Sequence, residues 1–114
     1  MAWQNKLFLL LGEEISAYIE MLLRYWPGRS GGLGRLVYYG DRLKNLGDSS
    51  WFGTGTEFIY SHNISIGSNF SCVGHCFFAA NGGAIVIGDR VSLNLGVQLN
   101  ANLGGQIFIG NDVL

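Results

Sequence analysis

Between Ile66 and Leu99 an apolar residue returns about every six positions, at Ile66, Cys72 and Phe78 and then at Ile87, Leu93 and Leu99. Over this beat one phrase is written three times, as Ile64-Ser65-Ile66-Gly67-Ser68-Asn69-Phe70, Ile85-Val86-Ile87-Gly88-Asp89-Arg90-Val91 and Ile107-Phe108-Ile109-Gly110-Asn111-Asp112-Val113. A weaker copy, Leu46-Gly47-Asp48-Ser49-Ser50-Trp51, precedes them, and the shared glycines are spaced by 20, 21 and 22 residues. Self-similarity at that period is the mark of a solenoid. Each six-residue unit supplies one short strand and one tight turn, and three units close a triangular coil of roughly 18 residues. The aliphatic residue points into the coil, and the small residue after it lets successive coils approach closely. Stacking predicts two ladders, Ile64 with Ile85 and Ile107, and Ile66 with Ile87 and Ile109. Asn69 and Asp112 suit a corner that needs positive φ, and Arg90 at the same place suits it less well. Because the period exceeds 18, each coil must carry a small excursion, expected at Asn81-Gly82-Gly83 and at Asn102-Leu103-Gly104-Gly105.

The first 45 residues follow another period. From Leu7 to Trp26 apolar residues dominate, while Glu13, Glu20 and Arg24 recur at helical spacing on one narrow polar face. The segment reads as an amphipathic helix. Glu13, Glu14 and Glu20 argue against a transmembrane span, and the uncharged run Leu7 to Gly12 is far short of the ~20 residues required. A cleavable signal peptide fits poorly for the same reason. Pro27-Gly28 should stop the helix, Ser30-Gly31-Gly32 should begin a flexible link, and a second short helix is expected from Leu33 to Leu46. The chain therefore divides into a helical cap, residues 1–45, and an all-β solenoid, residues 46–114.

Composition refines this picture only slightly. A chain of 114 residues with 18 glycines, one proline, 48% hydrophobic and 13% charged residues fits one compact solenoid domain. The net charge of −1 exerts no global pull toward nucleic acid. Cys72 and Cys76 both fall on inward beats and read as core thiols suited to a reducing compartment. Joined with His75 they match no defensible zinc spacing, so no metal is expected. Five of the seven basic residues, Arg24, Arg29, Arg35, Arg42 and Lys44, lie between positions 24 and 44 beside Trp26, Tyr38 and Tyr39. Such a segment fits peripheral contact of residues 1–45 with an anionic membrane. The expectation preferred here is that both helices fold onto the first coil, hide its strand edges and leave the arginines in water.

The triple phrase, with its internal six-residue beat, resembles the bacterial hexapeptide-repeat acyltransferases, and within them the sugar O-acetyltransferases of cell-surface polysaccharide precursors. The resemblance covers about residues 44–114. It implies a left-handed parallel β-helix and a cytoplasmic homotrimer, peripheral at the inner membrane face if the helices touch lipid. Acetyl-CoA would be the acyl donor, held in the groove between neighbouring prisms, and a sugar or lipid-linked sugar would be the acceptor. In that family a histidine deprotonates the acceptor hydroxyl, since an alcohol needs a base poised near neutral pH. The histidine follows shortly after the phrase matching Ile109 to Leu114, so it is expected beyond Leu114, in a longer enzyme of which these residues form the amino-terminal part.

Among the residues present, His75 is a weak candidate for the base, at an outward position between Gly74 and Cys76. His62, in the corner before Ile64, reads as a surface residue. In relatives acting on galactosides or maltose an asparagine one coil before the catalytic histidine contacts the acceptor, and Asn94 stands at the comparable place. The competing readings are a non-catalytic scaffold or trimerisation module and a γ-class carbonic anhydrase-like metal enzyme. The latter needs three histidine ligands where only His62 and His75 are present.

Overall fold

The computed structural model describes residues 2–114. Two helices, α1 (Ala2–Tyr25) and α2 (Gly28–Gly40), precede ten short strands. The first coil holds β1 (Asn45–Leu46), β2 (Trp51–Phe52) and β3 (Glu57–Ile59). The second holds β4 (Ile64–Ile66), β5 (Ser71–Cys72) and β6 (Phe77–Ala79). The third holds β7 (Ala84–Ile87), β8 (Ser92–Leu93) and β9 (Gln98–Asn100), and β10 (Gln106–Ile109) opens a fourth. Strands adjacent in sequence never pair. Each pairs in parallel with its copy one coil away, giving three faces, β1-β4-β7-β10, β2-β5-β8 and β3-β6-β9. The result is a left-handed parallel β-helix of about three turns.

The register is the one the repeats predict. Ile64 lies beside Ile85 and Ile85 beside Ile107, while Leu46, Ile66, Ile87 and Ile109 form the second ladder. Ile64 and Ile85 are fully buried, worth about 1.5–3 kcal/mol each. On the other two faces Phe52 sits over Cys72 and Leu93, and Phe58 over Phe78 and Leu99. Phe58 and Phe78 stack with ring centroids 4.7 Å apart. The excursions fall at Asn81-Gly82 and Leu103-Gly104 as expected, and a third, a 3-10 turn over Ser61–Asn63, separates the first two coils.

One prism edge, two residues after each repeat glycine, holds Ser49, Asn69, Arg90 and Asp112, all left-handed with φ of 56–59°. Two of the four, Asn69 and Asp112, are residues that visit this region most readily. Arg90 adopts it as well, and pairs with Asp112 directly above it.

The cap differs from its expectation in three ways. Its second helix spans Gly28–Gly40 rather than Leu33 to Leu46, so the Ser30-Gly31-Gly32 stretch is helix and not a flexible link. Gly31 and Gly32 are buried because they let backbones meet: a Cβ on Gly32 would overlap the Trp51 ring, and one on Gly31 the Trp26 carbonyl. Tertiary contact thus overrides the low helix propensity of glycine. Second, Arg35 is not in water but 1% exposed. Its Nε donates to the Phe52 carbonyl at 2.9 Å, and Nη1 donates to those of Leu23 and Trp26 at 3.0 and 2.8 Å. The Leu23 and Trp26 carbonyls lie at the end of α1, where a helix leaves acceptors without intrahelical partners. Burial pulls the Arg35 guanidinium below its ordinary pKa.

Third, only α2 covers the mouth of the first coil. Tyr39 closes its mouth, ring centroids 4.8 Å from Phe58 and 6.3 Å from Phe52. Burial, and then Glu20, push the Tyr39 phenol well above its usual pKa. Helix α1 meets the body through its last turns alone, and residues 2–19 are exposed throughout.

Candidate functional site

The prism edge between the β2-β5-β8 and β3-β6-β9 faces gathers two of the three residues singled out from sequence. At one level of this edge Gly55, His75 and Gly96 stand in successive coils, all left-handed, with φ of 80°, 51° and 74°. The ladder hydrogen bonds there run from His75 N to the Thr54 carbonyl at 2.8 Å and from Gly96 N to the Gly74 carbonyl at 3.0 Å. Glycine occupies the level above and below because the corner needs positive φ, and histidine is among the few side chains enriched in this conformation. The His75 ring lies over Gly55, filling the space a Cβ would need there. It is solvent-exposed, with its centroid 6.4 Å from that of Tyr25. Among the described residues no side-chain hydrogen bond orients it.

Asn94 stands on the same edge one coil further on, aligned with Val73, and is also exposed. Its Oδ1 accepts from the Leu95 N–H at 2.8 Å, and its carbonyl accepts from the Cys76 thiol at 3.3 Å. The carboxamide is therefore anchored at its oxygen, and Nδ2 faces solvent as a donor. Beside it Ser71 and Ser92 lie on the outer side of β5 and β8, with their hydroxyls 3.1 Å apart. The corner thus presents an imidazole, an amide donor and hydroxyls over a backbone rich in glycine, a surface able to hydrogen-bond a polyhydroxylated ligand.

His62 lies elsewhere. It sits in the 3-10 turn on the edge between the β3-β6-β9 and β1-β4-β7-β10 faces, exposed, with its ring 6.2 Å from Tyr60. The structure does not bring it to His75 or Asn94. Cys72 and Cys76 are free thiols, both buried as the inward beat predicts. Burial pushes the Cys72 thiol up to about 11 despite its contact with Thr56, so it is an inert core residue. Among the described residues no three His, Cys, Asp or Glu side chains converge on a point.

What sequence reasoning missed is the neighbourhood that α1 brings to this corner. Gly55 N–H donates to the Arg24 carbonyl at 2.6 Å, and Arg24 bridges Glu20 and Glu57 at 3.4 and 3.3 Å. Burial disfavours the Arg24 charge, but Glu57, with Tyr39 and Glu20, outweighs it and holds the pKa above its ordinary value. The Glu20–Arg24 pair follows helical spacing, but no spacing in the chain signals the contacts of Arg24 with Gly55 and Glu57, which join residues about thirty apart across unrelated elements. Compared with family models, with curated proteins and with solved structures, the chain matches none.

Proposed function

We propose that the protein is an acyl-CoA-dependent O-acetyltransferase, acting as a cytoplasmic homotrimer on a sugar hydroxyl of a surface polysaccharide or lipid-linked precursor. The observation that carries this reading is the shared prism edge of His75 and Asn94. On a coil built from the repeated Ile-Gly phrase, it presents an exposed imidazole and an exposed amide donor at the same corner of successive coils, offset by two residues in register. In the proposed reaction the hydroxyl oxygen attacks the thioester carbonyl carbon and gives its proton to a histidine. The C–S bond breaks, and the departing coenzyme A thiolate is protonated. Asn94 Nδ2 would hold an acceptor hydroxyl. The base is proposed to be a histidine following Leu114, with His75 the alternative among the residues described.

One observation favours a second reading, a non-catalytic scaffold or trimerisation module. Among the described residues neither His62 nor His75 has a carboxylate hydrogen-bonded to orient it, the arrangement that usually fixes a catalytic imidazole. Calorimetry of the natively expressed protein with acetyl-CoA, followed by a transfer assay on sugar acceptors, separates the two. Binding with formation of an acetyl ester supports the transferase. Absence of acetyl-CoA binding sinks it and leaves the scaffold.

A further inference from the structure

Helix α1 is amphipathic in the reverse sense. A helix on the surface of a folded domain turns its apolar stripe inward and its charges to water. Here Lys6, Glu13, Glu20 and Arg24 fall on one stripe, and the end of that stripe is what touches the body: Glu20 accepts from Tyr39 at 3.0 Å, and Arg24 pairs with Glu57 at 3.3 Å. Of the α1 charges only Glu14 lies off it. The opposite side carries Leu7, Leu11, Ile15, Tyr18, Leu22 and Tyr25 at three- and four-residue steps, each 51–59% exposed. No residue of α1 is buried.

The apolar surface continues past α1. Leu33 and Val37 on the outer side of α2 are 59% and 70% exposed and border a groove shared with Leu23. Arg42, with its guanidinium 3.6 Å from the Tyr38 ring centroid, closes the groove together with Asp41, and Arg29 lies one helical turn before Leu33. A dozen large side chains, each leaving on the order of 100 Å² in water, exceed the ~300–600 Å² of the largest patch on a typical monomer.

The girth of this surface selects its occupant. A second helix in a coiled coil covers only a narrow seam. It would leave Phe8 and Leu10, 80% and 60% exposed on the flanks, in water. A lipid interface covers the whole apolar half-cylinder at once. Trp3, Tyr18, Tyr25 and Trp26 are the residue types that settle at headgroup depth, and Arg29 and Arg42 are placed to reach phosphates from the rim. The helix is not long and apolar enough to cross a membrane. We propose that α1, with the outer face of α2, docks the protein on an anionic lipid bilayer. The helix lies in the headgroup region, and the β-helix hangs on the aqueous side below the charged stripe.

The test is flotation of the full chain with vesicles of phosphatidylcholine, alone or mixed with phosphatidylserine. Binding to both is expected, tighter and salt-sensitive with phosphatidylserine. Leu11→Glu combined with Ile15→Glu should lower partitioning by about tenfold or more. Arg29→Ala with Arg42→Ala should remove mainly the phosphatidylserine increment, about fivefold per residue. The circular dichroism and urea midpoint of the β-helix should stay as in the parent, which separates lost docking from lost folding. Failure of the parent to float with either vesicle overturns the proposal. So does a discrete oligomer that the two glutamates dissociate without any vesicle binding, which would assign the face to a second copy. The assay contains neither acyl donor nor sugar, so its failure would leave the acetyl-transfer reading untouched.

Discussion

Arg35 Nε donates a 2.9 Å hydrogen bond to the carbonyl of Phe52, and through it both helices are tied to the first coil. The same guanidinium holds the Leu23 and Trp26 carbonyls at the end of α1, so one side chain fixes three chain segments. Arg35→Met should strand these buried acceptors and cost about 3 kcal/mol or more in urea unfolding. Arg35→Lys should recover less than half of that, since a point ammonium cannot reproduce the planar fork. A loss under 1 kcal/mol for Arg35→Met would refute the role.

Leu103 is left-handed at φ 55° and 94% exposed in the third-coil excursion. It spends conformational strain there without burying anything. Leu103→Asn should therefore stabilise the fold by ~0.5–1 kcal/mol, because Asn tolerates this conformation and the Leu103 N–H to Asn81 carbonyl bond is unaffected. Thermal unfolding of the two proteins checks it.

The Cys72 thiol is raised from 9.0 to about 11 by burial. Above the lower value an unfolded chain releases this proton while the folded one keeps it. Stability is thus fully present below pH 9 and falls as pH climbs toward about 11, by roughly 2–3 kcal/mol. Tyr39, also raised by burial, adds a loss of the same sign at still higher pH. Cys72→Ala should unfold more easily at neutral pH but show a flatter decline between pH 9 and 11 in urea titrations, and an unchanged slope would contradict the assignment.

At the candidate site His75→Gly should keep the fold intact, since glycine stands at the same corner in the coils on either side. If the base is a histidine outside the described residues, kcat for acetyl transfer should stay within about tenfold. A fall of 10²-fold or more would instead make His75 the base. Asn94→Ala should raise the acceptor KM about tenfold with kcat nearly unchanged, the pattern expected when a binding contact is lost. An unchanged KM would remove Asn94 from the site.

The β-helix was legible in the residues because a solenoid's contacts follow its period. Ile64 must meet Ile85, and Ile85 must meet Ile107, once the repeats are stacked. The inward positions of Cys72 and Phe78 and the strained corner at Arg90 follow from the same count. That His75 and Asn94 fall at the same corner of successive coils, His75 level with Gly96 and Asn94 with Val73, was equally implicit in the hexapeptide beat. The cap was not legible in this way. Its glycines at 31 and 32 look like a linker locally and become helix only because the Trp26 backbone and the Trp51 ring require close approach. Local sequence thus decided the repeating part, where each residue's neighbours are its own copies one period away. Tertiary structure alone decided which arginine was buried, which helix closed the first coil and which way α1 turned its charges, because those depend on surfaces meeting at no fixed spacing.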